Sequence, residues 1–219
     1  MNSSVKYPEL REQDYFVYDE IFEWNVYHIL PEDIFNQNIL NIGGHYGMFD
    51  ILCSTYSPKQ IIAVEANPVN FVKLLNNTKN LRNFKAINAA VTTKTGDLLT
   101  ISNEGGLSKI NEGSITVSTV SLLDTVNLFP VNEDILLKMD IEGAEHEIIL
   151  NTDPNLFRRF KKIYMELHEF STPYTIKKTS EYITSLGFKN VWEGSYFTDD
   201  GMGNKTTSTG VSIIVFDRV

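Results

Sequence analysis

The segment Asn38-Ile39-Leu40-Asn41-Ile42, running into Gly43-Gly44-His45-Tyr46-Gly47, constrains this chain more than any other. It reads as a short apolar strand that enters a glycine-rich turn, after which Met48, Phe49, Ile51 and Leu52 recur at helical spacing. Strand, turn and helix in that order form the setting in which nucleotide-like cofactors bind. Glycine tolerates backbone angles other residues avoid and has no Cβ, so Gly43, Gly44 and Gly47 let the chain bend sharply and approach a ligand lying across the helix N-terminus.

A glycine turn alone is also met in tight connections that bind nothing. The next strand, Ile61-Ile62-Ala63-Val64, ends in Glu65, where doubly wound folds place the acid that binds ribose hydroxyls. Both oxygens of a carboxylate accept hydrogen bonds, which suits a ribose diol. Two ligand classes fit: nicotinamide or flavin dinucleotides, and S-adenosylmethionine. A dinucleotide fingerprint needs glycine where His45 stands, so that the backbone can approach a pyrophosphate. His45 therefore disfavours a pyrophosphate and favours S-adenosylmethionine, which has a ribose and an adenine but no phosphate.

At 219 residues the chain suits one well-cored α/β domain. A formal charge of −9 argues against nucleic acid as partner. Arg158, Arg159, Lys161 and Lys162 form the one dense cationic group and read as a solvated helix end. Cys53 is the single cysteine, which excludes an internal disulfide and a cysteine-rich metal site. No signal peptide or membrane-spanning run is evident, so a cytoplasmic setting without membrane contact is expected.

Residues 1–37 read as an N-terminal helical extension, a packing segment, lid or dimer contact, with a helix from about Arg11 to Leu30 ended by Pro31; residues 38–219 form the main domain. A helix follows Pro68, and Phe84–Asn88 is a third strand that brings Asn88 and Ala89 to the glycine-turn edge, within reach of an adenine. Strands are expected near Asp97–Ser102 and Thr116–Val120 with a loop between them, then a short helix over Ser121–Asn127. Ile135–Met139 is a central strand ending in Asp140, at the position where ligands bind in open α/β sheets. Lys162–Glu169 is a fifth strand, Thr175–Leu186 a helix stopped by Gly187, and the last two strands pair antiparallel because the excursion between them is too short for a crossover.

Asn41-Ile42-Gly43-Gly44-His45-Tyr46-Gly47, Ile62-Ala63-Val64-Glu65-Ala66-Asn67-Pro68, Asn88-Ala89-Ala90-Val91 and Leu137-Lys138-Met139-Asp140-Ile141-Glu142-Gly143-Ala144-Glu145 together resemble the FkbM family of S-adenosylmethionine-dependent methyltransferases. The resemblance implies an α/β class I methyltransferase (Rossmann-like) fold, with a seven-stranded, mostly parallel sheet, an antiparallel last strand and helices on both faces. It also implies methyl transfer to a hydroxyl of a sugar, glycan or natural-product acceptor. The cofactor residues it suggests are Asn41, Gly43, Gly44, His45, Gly47, Glu65, Asn67, Asn88, Ala89 and Asp140. The family usually has Asp where Asn41 stands and Ala-Asn where Gly44 and His45 stand, so the acid that helps hold the cofactor's ammonium is replaced by an amide.

Methyl transfer to a hydroxyl calls for a general base within hydrogen-bond reach. His168 and Asp140 are the leading candidates, with Glu142 and Glu169 behind them; the histidine is attractive for an ordinary pKa near neutrality. Asp140, Glu142 and Glu169 permit a divalent metal without requiring one. An NAD-dependent oxidoreductase and a catalytically silent cofactor-binding homologue are the alternatives.

Overall fold

The computed structural model describes residues 15–102, 113–169, 173–194, 197–199, 205–207 and 210–219. Seven strands form the main sheet: β1 (Asn38–Ile42), β2 (Gln60–Glu65), β3 (Phe84–Asn88), β7 (Ile135–Met139), β8 (Phe160–His168), β9 (Phe188–Gly194) and β12 (Val211–Arg218). Their order is β3-β2-β1-β7-β8-β12-β9, parallel except for β12, which runs antiparallel to β8 and β9. The expected class I methyltransferase sheet, with its antiparallel last strand, is present.

Every residue of β1 and β7 is buried, as strands covered on both faces require. Leu40, Ile42, Leu137, Met139, Ile163 and Met165 point into one core layer, with Ile148 and Phe157. Ile39, Ile61, Leu136 and Tyr164 point into the other, against Phe49 and Ile51 of α3 (Met48–Thr55) and Ile29 and Ile34 of the N-terminal segment. Since side chains alternate along a strand, the polar residues Asn41, Glu65, Lys138, Asp140, Glu166 and His168 share this second face toward its carboxyl edge. The fold thus gathers them without any one local motif announcing it.

The N-terminal helix is much shorter than expected. α1 (Tyr15–Tyr18) passes into a π-helical turn (Asp19–Glu23) and stops at Trp24. Asn25 and His28 adopt positive φ of 46° and 51°. The Asn25 side chain accepts from Ile29 N at 2.8 Å and donates to Ile29 O at 3.0 Å, a local pairing that competes with the helix. Pro31 opens a one-turn helix, α2 (Pro31–Ile34), rather than ending the first one. The part of the expected helix before Tyr15 lies outside the described residues.

Helix α4 (Pro68–Thr78) connects β2 to β3. A second sheet then joins β4 (Ala90–Thr92) in parallel, and β5 (Leu98–Ile101) antiparallel, to β6 (Ile115–Ser121). The turn of the expected loop over residues 103–112 lies outside the described residues. Helices α5 (Leu122–Val126), α6 (Glu145–Asn151) and α7 (Ile176–Ser185) follow, and β10 (Phe197–Asp199) and β11 (Lys205–Thr207) form a hairpin. The expected solvated cationic helix end is a 3-10 turn, Pro154–Arg159, and Lys162 lies inside β8, buried against Asp33 at 2.6 Å and Asp217 at 3.1 Å. Among the described residues, no helix is long and apolar enough to cross a membrane.

Candidate active site

The glycine turn is held by its neighbours. Gly43 and Gly44 both donate to Val64 O, at 2.9 and 3.0 Å, and Gly43 and Gly47 sit at φ +83°. A Cβ on Gly43 would lie 1.8 Å from Asp140 O, one on Gly44 2.6 Å from Leu74 Cδ1, and one on Gly47 2.9 Å from Thr78 Cγ2. The space freed by these glycines is therefore filled by β7 and α4, so their first role is to let the turn pack against the chain itself.

Glu65 clamps this turn from β2. One carboxylate oxygen accepts from His45 N at 2.7 Å and the other from Asn67 N at 2.8 Å. Each oxygen retains a lone pair, so the carboxylate still fits a ribose diol. Burial raises its pKa to about 7, against those two N–H bonds and the Lys138 charge. The His45 ring stacks on Tyr46 at 3.7 Å, and Lys73 Nζ also lies over the Tyr46 ring, 3.7 Å from its centroid. Asn67 caps α4, accepting from Val69 N at 2.9 Å. Asn88 donates to Glu65 O at 2.8 Å and Ala66 O at 3.0 Å, tying β3 to the β2 turn, and Ala89 is buried in the core. Asn67, Asn88 and Ala89 thus shape this edge through the backbone.

Beside the turn lies a polar cluster. Lys138, the cross-strand neighbour of Asn41, donates to Gly43 O at 2.9 Å and pairs with Asp140 at 3.2 Å. Glu145 accepts from Ile141 N at 2.7 Å and Gly143 N at 2.9 Å, which winds the Asp140–Glu145 turn around its carboxylate. Glu142 sits in this turn at φ +60°, a strained setting for a residue other than glycine. His168, at the end of β8, faces Glu145 at 3.1 Å, Glu166 at 3.2 Å and Glu142 at 3.7 Å. Burial disfavours its charge, but the hydrogen bonds of Glu145 and Glu166 and the charges of Glu145 and Asp140 raise its pKa to about 11. The imidazole, whose ordinary pKa lies near neutrality, is pushed strongly toward its charged form, which stands against its use as a base.

Tyr27 enters the cluster from the N-terminal segment, with its hydroxyl 2.9 Å from Asp140 and 3.2 Å from Glu166. A phenol has one proton to donate. Burial and the Asp140 charge raise the Glu166 pKa; Asp140's own is lowered, since Lys138 and His168 outweigh the effect of burial. Tyr27 is the donor in both contacts, so its one proton is shared between Asp140 and Glu166. Burial and the charges of Asp140, Glu166 and Glu145 raise Glu142 to about 8, with His168 opposing.

Asp140, Glu142 and His168 each offer a ligand atom within 4.8 Å of the others, so a divalent ion could bridge them only by displacing the imidazolium proton. Glu169 is not part of this group: its carboxylate accepts from Ile176 N at 2.6 Å, at the start of α7. Tyr27, Lys138, Glu145 and Glu166 were not singled out from the sequence as site residues. The in-register placement of Lys138 beside Asn41 and the two-residue step from Glu166 to His168 are signals available to a reading that knows the strand pairing.

The family model described as "Methyltransferase FkbM domain" matches residues 41–189. The chain belongs to this family. Hexuronic acid methyltransferase AglP of Haloferax volcanii is 25% identical over 162 residues, which cover 71% of this chain and 66% of that protein, just under two thirds of its length. The methyltransferase FkbM structure from Methylobacillus flagellatus KT superposes at TM-score 0.54 with 11% identity, covering 90% of this chain and 47% of that chain. M. capricolum TrmK, solved with S-adenosylhomocysteine, superposes at TM-score 0.53 with 15% identity, covering 90% and 68%. At these identities the two structures bear on the fold alone.

Proposed function

We propose that this FkbM domain transfers a methyl group from S-adenosylmethionine to a hydroxyl oxygen of a sugar, glycan or natural-product acceptor. The family match supports a methyltransferase over the dehydrogenase alternative. The relative named for hexuronic acid supports a carbohydrate acceptor, and the formal charge of −9 favours such a molecule over a phosphate backbone.

The residues present fit the cofactor. Gly43, Gly44, His45 and Gly47 form the turn that would hold its amino-acid end, Glu65 would take the ribose hydroxyls on its two oxygens, and Asn88 and Ala89 would border the adenine. When bound, the cofactor supplies a methyl group on a positively charged sulfur. The protein's task is then to hold the acceptor oxygen in line, exclude water and take the hydroxyl proton.

The observation that carries a base at this site is the placement of Glu142, partly exposed in the turn after β7 and 3.7 Å from His168, with its pKa lifted to about 8. We assign it as the base. The acceptor proton moves to a Glu142 oxygen, the acceptor oxygen takes the methyl group, and the proton later passes to solvent. His168, as an imidazolium pinned by Glu145 and Glu166, positions Glu142 across 3.7 Å. Asp140 is held ionised by Lys138 and Tyr27. Tyr27 reaches Asp140 and Glu166 from the N-terminal segment, which supports a packing role for residues 15–37.

The test is transfer of labelled methyl to a panel of neutral sugars, uronic acids and hydroxylated scaffolds. An alkali-stable methyl ether is expected. An alkali-labile methyl ester, or labelling confined to amines, would overturn the hydroxyl reading.

A further inference from the structure

Asn41 leaves the carboxyl part of β1 without the acid usual in the family, yet the structure puts an acid beside it. Asn41 Nδ2 donates to Asp50 Oδ1 at 3.0 Å, and both residues are 0% exposed. Asp50 comes from α3, the helix that follows the glycine turn. Asn41 Oδ1 and Asp50 Oδ2 are both buried and lack a donor, and a buried acceptor left so destabilises the fold. Two adjacent acceptors, one of them a carboxylate, suit a group that carries several N–H donors and a positive charge.

We propose that Asp50 supplies from α3 the negative charge at the cofactor's amino-acid end that an acid at position 41 would supply from β1. In this contact the amide stands on β1 and the acid on α3, so the pair carries one charge and one amide. The charged groups that face Asp50 are consistent with a site for one added cation. Lys138 from β7 stabilises its ionised form, and within α3 the thiol of Cys53 is kept neutral by burial and by Asp50 itself. Burial holds the Asp50 pKa near 7, against the Asn41 bond and Lys138, so the carboxylate is ready to ionise fully when an ammonium arrives. This inference rests on the cofactor reading above and not on the acceptor.

The test compares S-adenosylhomocysteine, which keeps the amino-acid end, with 5′-methylthioadenosine, which lacks it. Both are titrated calorimetrically into the wild type, Asp50→Asn, Asn41→Asp and the double exchange Asn41→Asp/Asp50→Asn, with thermal melts of each protein alone. Asp50→Asn is expected to weaken S-adenosylhomocysteine by on the order of tenfold or more while 5′-methylthioadenosine changes by less than about twofold. The double exchange is expected to recover the lost affinity. Equal weakening of both ligands, or no weakening of either, would overturn the proposal, as would an equal gain in S-adenosylhomocysteine affinity from Asn41→Asp alone. Should Asp50→Asn not fold, the double exchange decides: tight S-adenosylhomocysteine binding supports the proposal, and binding of 5′-methylthioadenosine alone overturns it. If the wild type binds no S-adenosylhomocysteine, the cofactor reading fails and the inference with it.

Discussion

A single Cβ distinguishes two of the turn glycines. At Gly43 it would meet the Asp140 carbonyl at 1.8 Å, in a backbone conformation of φ +83°, and no side-chain rotation relieves a clash with backbone. At Gly44 it would meet the end of the Leu74 side chain at 2.6 Å, which can shift. Gly43→Ala is therefore expected to lose more than about 3 kcal/mol of stability or fail to fold, and Gly44→Ala about 1–2 kcal/mol, as read by denaturant unfolding. At Glu142 the question is catalytic. A base of pKa about 8 works when deprotonated, so kcat/KM should rise with pH up to about that value and level off. Glu142→Gln should lower the plateau by about 100-fold or more and remove the rise. A rise that persists unchanged in Glu142→Gln would pass the role of base to another group.

Several strands of the main sheet were legible in the sequence from a local mark: Asn38–Ile42 runs into the glycine turn, Ile61–Val64 ends in Glu65 and Ile135–Met139 ends in Asp140. The tail could be read as antiparallel because residues 193–210 leave too little chain for a crossover helix. The N-terminal segment misled, since Tyr15, Tyr18, Phe22 and Val26 lie close to a helical stripe, while the Asn25 side chain's pairing with Ile29 is invisible to periodicity. With the helix broken at Trp24, Tyr27 can turn inward to the site. The glycine turn and the acids at Glu65, Asp140 and Glu142 could be read from spacing alone. The protonation of His168 could not, because it depends on Glu145 and Glu166, which belong to different elements. Tyr27→Phe removes the donor to Asp140 and leaves the ring's contact with Phe49, at 5.9 Å, in place. It should cost about 1–2 kcal/mol in thermal unfolding and slow methyl transfer without changing the far-UV spectrum. Unchanged turnover would leave Tyr27 a packing residue only.

Asp50, Glu65, Glu142 and His168, buried or half-buried in and around the site, share one sign of effect. Burial lifts Asp50 to about 7, Glu65 to about 7 and Glu142 to about 8, while carboxylate partners, overcoming burial, lift His168 to about 11. A group whose pKa is higher folded than unfolded holds its proton more tightly in the native state, so its stabilisation is complete below the unfolded value and fades as pH rises through the folded one. For the three carboxylates that window runs from about 4 to 8, and for His168 from about 6.5 to 11. Asp140 acts the other way, but its pKa is lowered, so its contribution changes only in acid. Because Asp140, Glu142, Glu166 and His168 sit together, they titrate as a unit, and the sum rather than any one step is observable. The cofactor-free protein should therefore melt at the highest temperature on the acid side of neutrality and lose stability steadily between about pH 5 and pH 9. Asp50→Asn and Glu142→Gln should each flatten part of that slope below about pH 8, since each removes a group that the fold keeps protonated. A melting temperature that climbs from pH 5 to pH 9, or variants whose slopes match the wild type's, would mean that these carboxylates are ionised in the folded protein and that the cluster is held by charge pairing instead of shared protons.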